Sequence, residues 1–227
     1  MKYIYASHRK WAIDAFLRYR DELPGNWIMV TTPEDLNVAL TNYQPEYIFF
    51  PHWSHIVPTS ITEGYNCVCF HMTDLPFGRG GSPLQNLIVR GVKRTKLTAL
   101  KMVEQLDAGP IYLKDDLDLN GSALEIFERM SALAIEQIKF IIEHRPTPTP
   151  QKVMDAEIFA RRSQYDSKIN GIKNLNYLYD HIRMLDAPGY PKAYIDMNGF
   201  IFEFEDAYLD SDTTKLQAFV KIKKAKN

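Results

Sequence analysis

Cysteine is scarce in this chain, with only Cys67 and Cys69 among 227 residues. That excludes a disulfide framework as the source of stability and fits a reducing, cytoplasmic compartment. Long apolar runs are also missing: no stretch is long enough to cross a bilayer, and no secretory leader pattern opens the chain. Neither a membrane partner nor export is expected. Charge of one sign is not in excess either, since 27 Lys plus Arg face 28 Asp plus Glu, for a formal net charge of −1. No global basic field draws the chain to nucleic acid. No G-x-G-x-x-G follows the first strand, which argues against a dinucleotide site. Hydrophobic residues make up 45% of the chain, enough for an ordinary core.

Strands and helices alternate through the first half. Tyr3 to Ala6, Trp27 to Val30 and Tyr47 to Phe50 read as short buried strands. Between them, Trp11, Ala15, Phe16 and Tyr19 mark one helix face, and Thr32-Pro33 with Asp35 opens a second helix. This order implies right-handed crossovers and an open, mostly parallel α/β sheet with flanking helices. Thr95 to Met102 and Ile111 to Leu119 read as paired strands, and Ser122 with Glu125 as a capping box for a helix reaching about Glu143. The run Pro146-Thr147-Pro148-Thr149-Pro150 ends that helix and reads as a stiff spacer. Beyond it, Leu175, Leu178, Ile182 and Leu185 form a helix face, and Asn198-Gly199 is a hairpin turn. The expected organisation is a Rossmann-like domain over residues 1–150 and a small α+β subdomain over residues 151–227.

The most informative stretch runs from His71 to Pro83, His-Met-Thr-Asp-Leu-Pro-Phe-Gly-Arg-Gly-Gly-Ser-Pro. It joins the end of a buried strand, Tyr65 to Phe70, to a glycine-rich loop and a helix start, with Ser82 as N-cap, Pro83 at the first helical position and Gly91 past the end. His71 therefore sits at the carboxyl edge of the sheet, where open α/β folds bind ligands. A lone His there is more often structural, and a Gly-rich turn often only solves a steric problem. Cys67, Cys69 and His71 alternate on one strand face, but at about 3.3 Å per residue Cys67 and His71 lie roughly 13 Å apart, too far to share one ion. No metal site is expected.

The whole string resembles the signature of the N10-formyltetrahydrofolate-dependent formyltransferases: His71, a hydroxyl residue at Thr73, Leu75-Pro76 and Arg79-Gly80 follow in the family's order. Asp107-Ala108-Gly109-Pro110-Ile111 matches the family's second motif, Asp-x-Gly-x-Ile. The resemblance covers roughly residues 1 to 205, and the tail beyond adds nothing. It implies a formyl transfer with N10-formyltetrahydrofolate as co-substrate. His71 would move the proton released by the attacking amine, and Asp107 would orient the imidazole and stabilise its charged form. Leu75, Pro76, Phe77, Val103 and Asp107 would line the pterin, largely through backbone groups. One residue departs from the pattern: Cys69 stands where the family carries an Asn whose amide holds the developing oxyanion. Losing such a donor typically costs about 10²–10³ in rate, so a backbone N–H of Gly78 to Gly81, or the Gln85 or Asn86 side chain, is the expected substitute.

The segment Gly78 to Ile88 looks like that of the sugar N-formyltransferases. It implies a nucleotide-linked acceptor, a UDP- or dTDP-4-amino-4,6-dideoxy sugar destined for surface glycans such as lipopolysaccharide or flagellar glycans. Arg9 and Lys10, after the first strand, would meet its diphosphate, with Arg79, Gly80, Gly81 and Ser82 completing the acceptor site. A transfer-RNA formyltransferase is expected to show basic surface and a further C-terminal barrel, and neither is visible. Two alternatives stay open, a phosphoribosylglycinamide formyltransferase and an inactive folate- or nucleotide-binding homologue. So does a homodimer.

Overall fold

The computed structural model describes residues 1–152 and 157–225. The chain divides into two compact units, each assembled from several stretches. The first comprises Met1–Gly80, Thr95–Leu117 and Phe127–Ile158. It opens with β1 (Lys2–Ala6), α1 (Lys10–Tyr19), β2 (Asn26–Val30), α2 (Pro33–Asn42) and β3 (Tyr47–Phe50). Then come α3 (Thr59–Gly64), β4 (Cys67–His71) and β5 (Arg79–Gly80). After α4 (Pro83–Ile88) the sheet resumes with β6 (Arg94–Lys101) and β7 (Ile111–Asp118), followed by α5 (Ala123–His144) and β8 (Ile158–Phe159).

The six-stranded sheet has the order β2-β1-β3-β4-β6-β7. The first four of these strands are parallel, while β6 runs antiparallel to β4 and sets His71 opposite Thr98. Ile4, Tyr5, Ile48, Phe49, Cys67 and Val68 are fully buried. Burial on both faces explains why these strands are continuous apolar runs rather than alternating ones. Thr32 caps α2 by accepting from the Asp35 N–H, and Ser122 and Glu125 exchange the reciprocal bonds of a capping box ahead of α5.

Three local expectations are corrected. The fourth strand begins at Cys67 rather than Tyr65, because the Tyr65 N–H is used to close α3 on the Ile61 carbonyl. Ser82 does not cap α4 with its side chain: it adopts a left-handed backbone (φ 49°), and its hydroxyl accepts from the Arg162 N–H instead. The Pro-Thr-Pro run is not a free spacer. Thr149 pairs with Ile111 through two backbone hydrogen bonds of 2.8 Å and carries the chain to Gln151.

The second unit comprises Gly81–Arg94, Asp118–Ile126 and Phe159–Asn227. It contains α4, α6 (Leu175–Arg183) and an antiparallel sheet of β9 (Ala193–Met197), β10 (Phe200–Leu209) and β11 (Leu216–Lys224). Asn174 caps α6 by accepting from the Tyr177 N–H. Asn198 and Gly199 both take positive φ between β9 and β10, as a two-residue hairpin turn requires. The third strand was not anticipated. Its signal lay in the turn-rich Asp210 to Thr214 followed by the alternating Val220, Lys221, Ile222 and Lys223. No helix among the described residues is long and apolar enough to cross a membrane.

Candidate active site

His71 ends β4, buried at 7% exposure. Its Nε2 lies 2.8 Å from the Gly78 carbonyl. A carbonyl only accepts, so Nε2 carries the hydrogen and Nδ1 is the nitrogen left to exchange a proton. Gly78 reaches this position by φ 70°, and the same carbonyl accepts from the Thr73 hydroxyl at 3.4 Å. Thr98 on β6 in turn donates to the Thr73 carbonyl at 2.6 Å. The turn after β4, with a cis Leu75-Pro76 bond, is thus tied to the sheet from two sides.

Asp107 comes from the loop between β6 and β7. Its Oδ2 stands 3.5 Å from His71 Nδ1, and the two side chains are 8% and 10% exposed. The same oxygen accepts the Gly80 backbone N–H at 3.0 Å. Asp107 has φ 53°, a left-handed conformation that only a surrounding structure can hold in a non-glycine residue. Part of that structure is Gly109: a Cβ there would lie 1.8 Å from the Lys101 carbonyl oxygen, so only glycine lets the loop pass this close to β6. The sequence motif Asp-x-Gly therefore has a steric cause.

The structure brings His71, Asp107 and Gly80 together. Leu75 is buried at 1% exposure, and its carbonyl accepts from Lys114, which also pairs with Asp74. Phe77 and Val103, by contrast, present exposed side chains. The Cys69 thiol is pushed well up by burial and by the Asp107 carboxylate, which keeps it protonated. Arg79, Gln105, Ala108 and Gln151 line a cleft of about 360 Å³.

Most of the donors expected to replace the family Asn already have partners. The N–H groups of Gly78, Gly80 and Gly81 go to Glu157, Asp107 and Phe159. The Gln85 amide donates to the Met184 carbonyl, and that of Asn86 to Gly81, Ser82 and Ala160. Arg79 donates from Nε and Nη2 to Gln151 Oε1. Lys10 pairs with Asp14 on the exposed side of α1, and Arg9 lies over the Trp11 ring. Sequence reasoning missed Gln151, which donates to the Asp107 and Gly109 carbonyls, both at 2.8 Å. Its only signal was its place directly after the proline run.

Comparison with known proteins adds the following. A family model described as Formyl transferase matches residues 29–131, and one described as Methionyl-tRNA formyltransferase, C-terminal domain, matches residues 164–223. The chain is similar to the methionyl-tRNA formyltransferase from Clostridium thermocellum, with 43% identity, a TM-score of 0.92 and coverage of 99% of this chain and 100% of that one. It is 28% identical over 164 residues to the methionyl-tRNA formyltransferase of Bacillus anthracis, which is 69% of this chain and 52% of the relative. The chain thus spans about half the length of the curated relatives it matches. A 4-N formyltransferase from Francisella tularensis, at 12% identity and TM-score 0.66 over 100% of this chain and 98% of that one, shares the fold.

These findings overturn the amino-sugar acceptor. The likeness to a sugar-type enzyme does not exceed the fold, whereas the match at 43% identity is to a methionyl-tRNA formyltransferase. The expectation that no C-terminal domain of a transfer-RNA formyltransferase is visible is corrected, because the model of that domain matches residues 164–223. The nucleotide-sugar diphosphate expected opposite Arg9 and Lys10 and the purine-synthesis alternative both presuppose an acceptor other than methionyl-tRNA.

Proposed function

Because the chain belongs to the formyltransferase family, we propose that it transfers the formyl group of N10-formyltetrahydrofolate to the α-amino group of methionyl-tRNA. The observation that carries the chemistry is the buried His71–Asp107 pair, with one carboxylate oxygen shared between Nδ1 and the Gly80 amide. The acceptor rests on the similarity at 43% identity along both chains.

In this reading the amine attacks the formyl carbon, a tetrahedral oxyanion forms, and the bond from carbon to N10 breaks. The attacking nitrogen must lose a proton and the departing N10 must gain one. His71 relays it through Nδ1, because Nε2 is committed to Gly78. Asp107 faces that nitrogen with an acceptor-only carboxylate, so the pair is complementary when Nδ1 carries the proton. Phe77 and Val103 supply apolar surface for the pterin from the two loops flanking the pair. Leu75, already buried and bound to Lys114, shapes the turn.

Incubation with N10-formyltetrahydrofolate and charged initiator tRNA, followed by mass detection of formylmethionine, tests the proposal. Formylation that requires both substrates supports it. Donor turnover on other amines with none on methionyl-tRNA rejects the acceptor.

A further inference from the structure

Gln151 uses the whole hydrogen-bonding capacity of its side chain on the loops that carry Asp107 and Gly80. Its Nε2 donates to the carbonyls of Asp107 and Gly109, both at 2.8 Å. Its Oε1 accepts from Arg79 Nε at 3.1 Å and Arg79 Nη2 at 2.7 Å. Only a primary amide gives two donors and two acceptors at once, so no other side chain of this length fills the position. On one side the amide grips the backbone of the residue held at φ 53°, and on the other the residue immediately before Gly80, whose N–H holds the Asp107 carboxylate.

We infer that Gln151 is a positioning residue: it locks the Asp107 loop in its left-handed turn and, through Arg79, fixes the Gly80 amide against the Asp107 carboxylate, so that Oδ2 faces His71. The chain delivers it there by pairing Thr149 with Ile111. The proline run limits the freedom of the segment before docking, since each proline has its φ preset. Arg79 is thereby a strut of the site, its Nε and Nη2 both donating to Gln151. This inference rests on the proposed role of Asp107, and its effect on rate is indirect.

The test is Gln151→Glu, which keeps an acceptor for Arg79 but cannot donate to the two carbonyls, made alone and in an Asp107→Asn background. A misplaced orienting group costs up to about 10² in rate. The expected result is a kcat lowered by about tenfold or more, with KM for methionyl-tRNA changed by less than about twofold. In the Asp107→Asn background the same substitution adds less than about a twofold loss, because the two residues act through one interaction. Hydrogen exchange at the amides of residues 103–109 is expected to quicken in Gln151→Glu, while the melting temperature of the whole chain stays near that of the wild type. Gln151→Met, of similar length and without polar atoms, is expected to give the same pattern and replaces Glu if that variant does not fold. Losses that multiply in the Asp107→Asn background, or unchanged exchange in the loop, overturn the inference. If the wild-type chain does not formylate methionyl-tRNA, the functional proposal fails on that arm, and the exchange measurement still decides whether Gln151 holds the loop.

Discussion

The backbone N–H of Gly80 donates to Asp107 Oδ2 at 3.0 Å, and that same oxygen lies 3.5 Å from His71 Nδ1. A carboxylate held from one side by a fixed amide presents its charge to the imidazole without a search over rotamers. Such preorganisation contributes at the moment a proton moves. The first prediction follows. His71→Ala and Asp107→Asn should each lower formyl transfer by at least about 10²-fold, because general acid–base groups contribute about 10²–10⁴. Circular dichroism and melting close to wild type would show that folding is intact, and near-wild-type rates in either variant would remove that residue from the mechanism.

Cys69→Asn tests the departure from the family pattern. Burial and the Asp107 carboxylate hold the Cys69 thiol well above its ordinary value, so it remains a weak neutral donor. An amide placed there should leave kcat equal to or above that of the wild type. A folded Cys69→Asn protein with a kcat lowered by about tenfold or more would mean that the site is built around a different donor.

Gly109→Ala should destabilise the fold by about 3 kcal/mol or more, the range of severe overpacking and backbone strain. The added Cβ meets the Lys101 carbonyl oxygen at 1.8 Å, and backbone on both sides leaves no flexible group to move. Urea unfolding of the variant against the wild type measures it, and a midpoint shift within error would contradict the steric account of the Asp-x-Gly motif.

Acid should weaken the fold through His52. Burial, with Arg9 and His8 adding to it, pushes this imidazole down to about 3, while the Trp11 indole N–H donates to its Nδ1. The folded value lies below the unfolded one near 6.5, so the neutral form is favoured in the native state. The stability from this group is present above about pH 6.5 and is lost as pH falls towards about 3, at about 1.4 kcal/mol per pH unit. Between pH 7 and pH 5 the loss is about 2 kcal/mol. His52→Asn, a residue that tolerates the positive φ here, should flatten that part of the profile in denaturant titrations. An unchanged slope would place the acid sensitivity elsewhere.

The sequence made the sheet legible because its strands are buried on both faces: Ile4, Phe49 and Val68 lie in apolar runs that admit little else. Caps at Thr32 and Ser122 were legible because each bonds its own neighbours. His71 and Asp107 could be paired through ordered motifs. The acceptor could not be read, because the glycine-rich segment thought to contact it spends its groups inside the protein: Gly81 on Phe159, Ser82 on Arg162 and Arg79 on Gln151. Gln151 itself was hidden because its bonds span 72, 44 and 42 positions of chain, beyond any local pattern.

The central claim is formyl transfer to an aminoacyl-tRNA through the His71–Asp107 pair. Its most direct measurement is single-turnover transfer from N10-formyltetrahydrofolate to methionyl-tRNA by the wild-type chain and by Asp107→Asn, read as formylmethionine released after deacylation. The account predicts formylmethionine from the wild type and a rate at least about 10²-fold lower from the variant. Equal rates from the two proteins, or no formylmethionine from the wild type while the donor is consumed on another amine, would contradict it.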